Sequence, residues 1–191
     1  SKKNVVDPND IINDYGADTA RWFMLSDSPP ERDLQWTETG IISAHKFINK
    51  LWGLIEKYNS YTIDKEIGDN SLKNKFKIII NQVTENIENF HFNKSVAKIY
   101  EYVNLLSETS NTKKINKSDF NWILRKLVLI TQPFIPHISE EMWASLSEDG
   151  LCINQKWPKQ YILREDGISN IAVQINGKTR NIIELKNDLN K

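Results

Sequence analysis

The amino-acid sequence predicts a mainly α protein, an antiparallel helix bundle followed by a short β-hairpin. Two observations carry this expectation. From Asp7 to about Leu146, apolar residues return at three- and four-residue steps, the spacing that gathers them on one face of a helix. Beyond Asp149 the period falls to two, as Ile171, Val173 and Ile175 alternate with Ala172 and Gln174. Asn176-Gly177 then supplies the strongest short hairpin signal, because both turn residues need positive φ.

Taken in order, Asp7-Pro8 is a helix start, with Asp as N-cap and Pro at the first helical position. Ile11, Ile12 and Tyr15 fill that short helix, and Gly16 stops it. A second helix runs from Ala17 to about Leu25, with Ala20, Phe23 and Met24 as its apolar set, and ends at Ser28-Pro29-Pro30. Trp36-Thr37-Glu38 opens a longer helix reaching about Tyr58, whose stripe is Ile41, Ala44, Ile48, Leu51, Trp52 and Ile55. A polar connector covers 59–70. A helix from about Ser71 to Glu88 carries Leu72, Phe76, Ile79, Ile80, Val83 and Ile87. The next, from about Asn93 to Ser107, carries Val96, Ile99, Tyr100, Val103 and Leu106. Residues 108–117 read as a polar loop. The helix at about 118–132, with Ser118 as its N-cap, buries Phe120, Ile123, Leu124, Leu127, Val128 and Ile130. Pro133 to Pro136 breaks the chain before a short helix to about Leu146. Such stripes bury only against one another, so a bundle is the natural packing. Lys178 to about Leu185 would be the returning strand. A lone hairpin is only marginally stable in water, so residues 151–191 read as a linker and the start of a truncated domain.

The 191 residues suit one domain with an appendage. An apolar fraction of 39% and a charged fraction of 26% describe a soluble globular protein. No apolar run approaches the roughly 20 residues that span a bilayer, so no membrane partner is expected. No signal peptide opens the chain, and there is no initiator Met, which fits a piece excised from something larger. The single cysteine, Cys152, makes no internal disulfide, reads as inert, and fits a cytoplasmic setting. His45, His91 and His137 stand far apart without ligand-spaced partners, so no metal is expected. His137 reads as part of a helix start with acidic residues in its first turns, and no catalytic residue is expected in this piece.

Formal charge is zero, with 25 Lys and Arg against 25 Asp and Glu, so any polyanion partner must meet local cationic clusters. Three exist. Lys46 and Lys50 share a helix face at i,i+4. Lys113, Lys114 and Lys117, with Arg125 and Lys126, form a run opposed locally only by Asp119. Lys178 and Arg180 flank the hairpin turn, and alternation puts both on one face. Trp36, Trp52, Trp122 and Trp143 sit in apolar stretches and are expected in the core.

The opening string, SKKNVVDPNDIINDYGADTARWFMLSDSPPERDLQW, resembles the segment after the signature lysine loop of class I aminoacyl-tRNA synthetases. The matching pieces are Ser1-Lys2-Lys3-Asn4, Asp7-Pro8 and Tyr15-Gly16-Ala17-Asp18-Thr19-Ala20-Arg21. SPPERDLQWTETG at 28–40, FHFNKSVAKIYEYVN at 90–104, PFIPHISEEMW at 133–143 and VQINGKTR at 173–180 make the likeness closest to the bacterial-type leucyl-tRNA synthetase family. Lys46 and Lys50 depart from it, since arginines are common there, keeping charge but losing bidentate phosphate contacts.

That resemblance implies connecting helices over 1–36, a helical tRNA- or anticodon-binding domain over 37–150, and the start of a small C-terminal α/β domain over 151–191. Ser1 and Lys2 would be the remnant of the ATP-handling loop. The parent enzyme would join leucine to tRNA(Leu) through leucyl-adenylate with ATP and Mg²⁺, as a cytoplasmic monomer, while this piece positions tRNA. The alternatives are the same domain of an isoleucyl, valyl or methionyl enzyme, or a helical protein–protein interaction module.

Overall fold

A computed structural model describes residues 6–62, 70–112, 114–162, 168–175 and 178–186, with side chains described outside Asn70–Ser71 and the two strands. Two compact units result, Ser1–Tyr161 and Ile162–Lys191. Among the described residues, the first holds seven α-helices: α1 (Pro8–Tyr15), α2 (Ala17–Asp27), α3 (Glu38–Asn59), α4 (Asn70–Glu88), α5 (Phe92–Asn111), α6 (Lys117–Thr131) and α7 (Pro136–Ser145). A single 3-10 turn, Cys152–Asn154, follows.

Local chemistry sets the helix limits. The Asp7 carboxylate accepts from the Asn9 N–H at 2.8 Å and Pro8 occupies the first turn, as expected for this start. Gly16 has φ +86°, a conformation side chains resist, and turns the chain from α1 into α2. Thr37 caps α3 by accepting from the Gly40 N–H at 3.2 Å. The cap of α6 is Asn116 rather than Ser118, its Oδ1 accepting from the Asp119 N–H at 2.7 Å. The polar loop expected at 108–117 is shorter, because α5 continues to Asn111. Thr109 donates to the Leu105 carbonyl at 2.8 Å and Thr112 to that of Glu108 at 2.9 Å, tying the polar residues back onto the helix.

The core gathers the predicted stripes, with corrections at the edges. Leu51, Ile80, Val103, Leu124 and Ile130 are fully buried. On α3, Phe47 and Leu54 are buried while Trp52 reaches the surface at 36% exposure, so Trp52 is not core. On α2, Trp22 takes the place expected of Met24, which is 59% exposed. The Trp22 ring stacks on Phe47 with centroids 4.6 Å apart, and its indole N–H donates to the Tyr100 hydroxyl at 3.1 Å. Trp36 and Trp122 are half-buried, and Trp143 is buried.

One turn of α2 holds the α6–α7 break. Arg21 donates to the carbonyls of Phe134 (3.0 Å) and Pro133 (2.9 Å), which the prolines leave without helical partners. Asp18, three residues earlier and 8% exposed, accepts from the Ile138 N–H at 2.7 Å and lies 2.9 Å from His137 Nδ1. A cation thus meets the end of one helix and an anion the start of the next, as their dipoles favour.

In the second unit, β1 (Ile168–Ile175) and β2 (Lys178–Lys186) pair antiparallel. Ile171 faces Ile183 and Gln174 faces Thr179, with a register shift between Val173 and Gln174. The connection at Asn176-Gly177, where the hairpin turn was expected, lies outside the described residues.

Asp18→Ala is expected to destabilise the helical unit by about 1–2 kcal/mol in urea unfolding, and Asp18→Asn by less, because the amide oxygen still accepts from Ile138. Two helical glycines should separate in sign. A Cβ at Gly40 would stand 2.3 Å from the Phe23 ring, whereas one at Gly53 meets nothing within 4 Å. Gly40→Ala should therefore cost about 1–3 kcal/mol, and Gly53→Ala should add about 0.5–1 kcal/mol; paired thermal melts will show it.

Candidate nucleic-acid interface

Helix α3 carries the first candidate cations. Lys46 and Lys50 are both exposed, as their i,i+4 spacing requires of the face opposite Leu51 and Ile55. Lys50 Nζ donates to Asn104 Oδ1 of α5 at 2.8 Å, while Lys46 has no partner among the described residues. One turn pair further on, Lys57 donates to Ser110 Oγ at 2.9 Å and to the Asn111 side chain. Partial burial lowers the Lys57 pKa below the usual lysine value. Lys57 was missed in the sequence, although its seven-residue distance from Lys50 could have flagged it. The row from Lys46 to Lys57 covers about 16 Å of helix axis. On α5, Glu101 is held by Lys98 at 2.9 Å.

Folding extends this row with a second cluster. Lys117, in the first turn of α6, lies over the Tyr58 ring, 5.5 Å from its centroid, and so reaches the end of α3. Lys114 is exposed just before it, with its backbone N–H on the Thr109 carbonyl at 3.0 Å. Lysines far apart in the chain thus surround the junction where α3 and α5 end and α6 begins.

Arg125 and Lys126 are employed differently. Arg125 Nε is 2.7 Å from Glu148 Oε1, and its guanidinium lies 5.7 Å from the Trp143 ring centroid, so the fold itself occupies it. Lys126 is half-buried, and burial, then the charge of Arg125, lowers its pKa. Ser1, Lys2 and Lys113 lie outside the described residues, as do the side chains of Lys178 and Arg180. The register shift beside Gln174 leaves Arg180 opposite no β1 residue.

The remaining reactive groups serve structure. His137 pairs with Asp18, and the nearby Ser139 hydroxyl is fully buried, 3.1 Å from that of Thr131. Glu140 accepts from the backbone N–H groups of Cys152 (2.7 Å) and Ile153 (2.8 Å), closing the chain after α7. Cys152 is buried, and burial, with the Glu140 charge second, pushes its thiol up to about 12. Among the described residues no three His, Cys, Asp or Glu converge as a metal set, and no helix is long and apolar enough to cross a membrane.

Residues 69–191 match the family described as the anticodon-binding domain of tRNA ligase. The chain belongs to that family. Beyond the domain, it is 44% identical over 200 residues to a leucine--tRNA ligase of Paramagnetospirillum magneticum, covering 99% of this chain and 23% of the relative. A leucine--tRNA ligase of Cereibacter sphaeroides is 38% identical over 191 residues, with 99% and 22% covered. This anticodon-binding family member thus spans about a fifth of the length of those relatives. Its structure is similar to the agnB2 LeuRS of Agrobacterium radiobacter K84, solved as a ternary complex with tRNA and LeuAMS. The TM-score is 0.81 at 26% identity, covering 100% of this chain and 26% of the other.

Iodoacetamide should label Cys152 negligibly in the native protein at pH 8, since raising the thiol from 9.0 to about 12 leaves about a thousandth of the usual thiolate. Full labelling should appear only in denaturant. Rapid native labelling would mean that the thiol is accessible.

Proposed function

We propose that this chain is the tRNA-binding part of a leucine--tRNA ligase, gripping the tRNA body and performing no chemistry itself. The observation that carries this reading is the lysine row of α3 joined to Lys114 and Lys117 at the α6 start, on a scaffold similar to a leucyl enzyme solved with tRNA. Backbone phosphates suit such a row, because lysines meet them as mobile point charges and each contact releases counterions. Residues 1–36 serve as connecting helices, 37–150 as the tRNA-binding domain, and 151–191 as the start of a small C-terminal domain whose first element is the Lys178 hairpin. In the parent enzyme, a cytoplasmic monomer that uses Mg²⁺, leucine and ATP would give leucyl-adenylate and pyrophosphate, and leucine would then pass to tRNA(Leu) with release of AMP. Ser1 and Lys2 belong there to the end of the loop that steadies the ATP phosphates.

Within the tRNA interface we assign Lys46, Lys50, Lys57, Lys114 and Lys117 to phosphates, with Lys113, Lys178 and Arg180 as further contacts. Arg125 acts by shaping the α6 surface, since Glu148 and the Trp143 ring hold its charge, and Lys126 stands half-buried beside it.

Titration of the chain with a leucine tRNA transcript at two salt concentrations tests the reading. Binding should weaken steeply as salt rises. Lys46→Glu with Lys50→Glu should lower the slope of log K against log salt by about 1 per lost contact. Absence of tRNA binding would sink the function. Unchanged binding by the double variant would sink the site assignment alone.

A further inference from the structure

Three helix ends in the described chain pass through positive φ, and one of them uses a glycine, the residue suited to it. Gly16 follows α1, and the small Ser147 follows α7 with φ +57°. The third, between α4 and α5, places Phe90 at φ +58°. There the Phe90 N–H donates to the Ile87 carbonyl at 3.0 Å and the His91 N–H to that of Asn86 at 2.7 Å. This pair of bonds forms a Schellman motif whose left-handed position is usually glycine. A bulky side chain there is a conformational outlier, and burial does not compensate it, because Phe90 is 65% exposed.

The ring is nevertheless held. Phe92 meets it edge-on with centroids 5.8 Å apart, and Phe92 is itself braced at 6.4 Å by the buried Phe134. Asn89 and His91, its two chain neighbours, line a groove of about 620 Å³ together with Gln82, Glu85, Asn86, Lys94, Ala97 and Lys98. Three amides, an imidazole and a carboxylate offer mixed donors and acceptors; Lys94 roughly balances Glu85, and Glu101 holds Lys98 at 2.9 Å. Such a lining suits neither a phosphate, which wants net cation, nor an apolar protein anchor. It suits the polar edge of a nucleobase whose face lies on an aromatic ring.

We infer that Phe90 is a stacking platform for an unpaired RNA base, with the α4–α5 groove reading that base's edge. This inference rests on the tRNA-binding reading and adds to it a site that binds bases rather than phosphates. Strain at φ +58° then has a use, since it aims the ring outward from a rigid turn.

The test compares Phe90→Gly, Phe90→Ala and Phe90→Trp in the 191-residue chain, using a leucine tRNA transcript and a fully paired RNA duplex as probes. Phe90→Gly should melt at a higher temperature than the wild type, because glycine relieves the turn. Yet Phe90→Gly and Phe90→Ala should weaken tRNA binding about five- to a hundredfold, leave duplex binding unchanged, and contrast with Phe90→Trp, which should retain tRNA affinity. Equal tRNA binding by Phe90→Gly and wild type overturns the platform and leaves the tRNA reading standing. An equal loss on duplex and tRNA overturns recognition of an unpaired base. Loss of self-association in sedimentation, with tRNA binding intact, overturns it in favour of a protein contact. If the wild-type chain binds no tRNA, the tRNA reading falls and this inference falls with it.

Discussion

The helical unit depends on the clasp by which a single turn of α2 grips the break between α6 and α7. Prolines at 133 and 136 end one helix and start the next, stranding carbonyls on one side and amide N–H groups on the other. Arg21 satisfies the carbonyls of Pro133 and Phe134, and Asp18 the Ile138 N–H. Because these two side chains sit at i,i+3, one helix face serves both helix ends, and charge matches dipole at each. Trp22, the next residue, packs against Phe134 at 6.0 Å, so the polar clasp and the aromatic core fasten the same corner.

This gives physical content to two strings that resemblance marks only as family signatures. In Tyr15-Gly16-Ala17-Asp18-Thr19-Ala20-Arg21, the glycine turns the chain and the two charged residues hold a turn more than a hundred positions away. In the PFIPHISEEMW stretch, Glu140 holds the backbone of Cys152 and Ile153 while Ser139 is turned inward beside Thr131. Asp18, Arg21, His137, Ser139 and Glu140 of these two strings are engaged in folding.

With those groups committed, the surface available to a polyanion is narrowed by the fold's own pairing. Glu148 and Trp143 occupy Arg125, and Lys73 pairs with Asp119. Lys46, Lys50, Lys57, Lys114 and Lys117 find amide, hydroxyl, aromatic or solvent surroundings instead of carboxylates among the described residues. Lysines that keep their charge uncompensated favour an anionic partner even though the chain as a whole is neutral.

The sequence alone determined the helix inventory, most of the apolar stripes, the Asp7-Pro8 and Gly16 boundaries and the family likeness. Each is written in local spacing or in a residue's own backbone preference. Only the tertiary structure decided which cations are spent and which remain, because Arg125 meets Glu148 and Lys117 meets Tyr58 across separations that no periodicity encodes. The same holds for α3, where Trp52 and Phe47 both satisfy a helical stripe and only the facing Trp22 ring selects Phe47 for the core. It holds also for Phe90, whose left-handed backbone came from the α4–α5 turn and carries no glycine to announce it. Period reports which face of a helix is buried; what that face meets is set by packing.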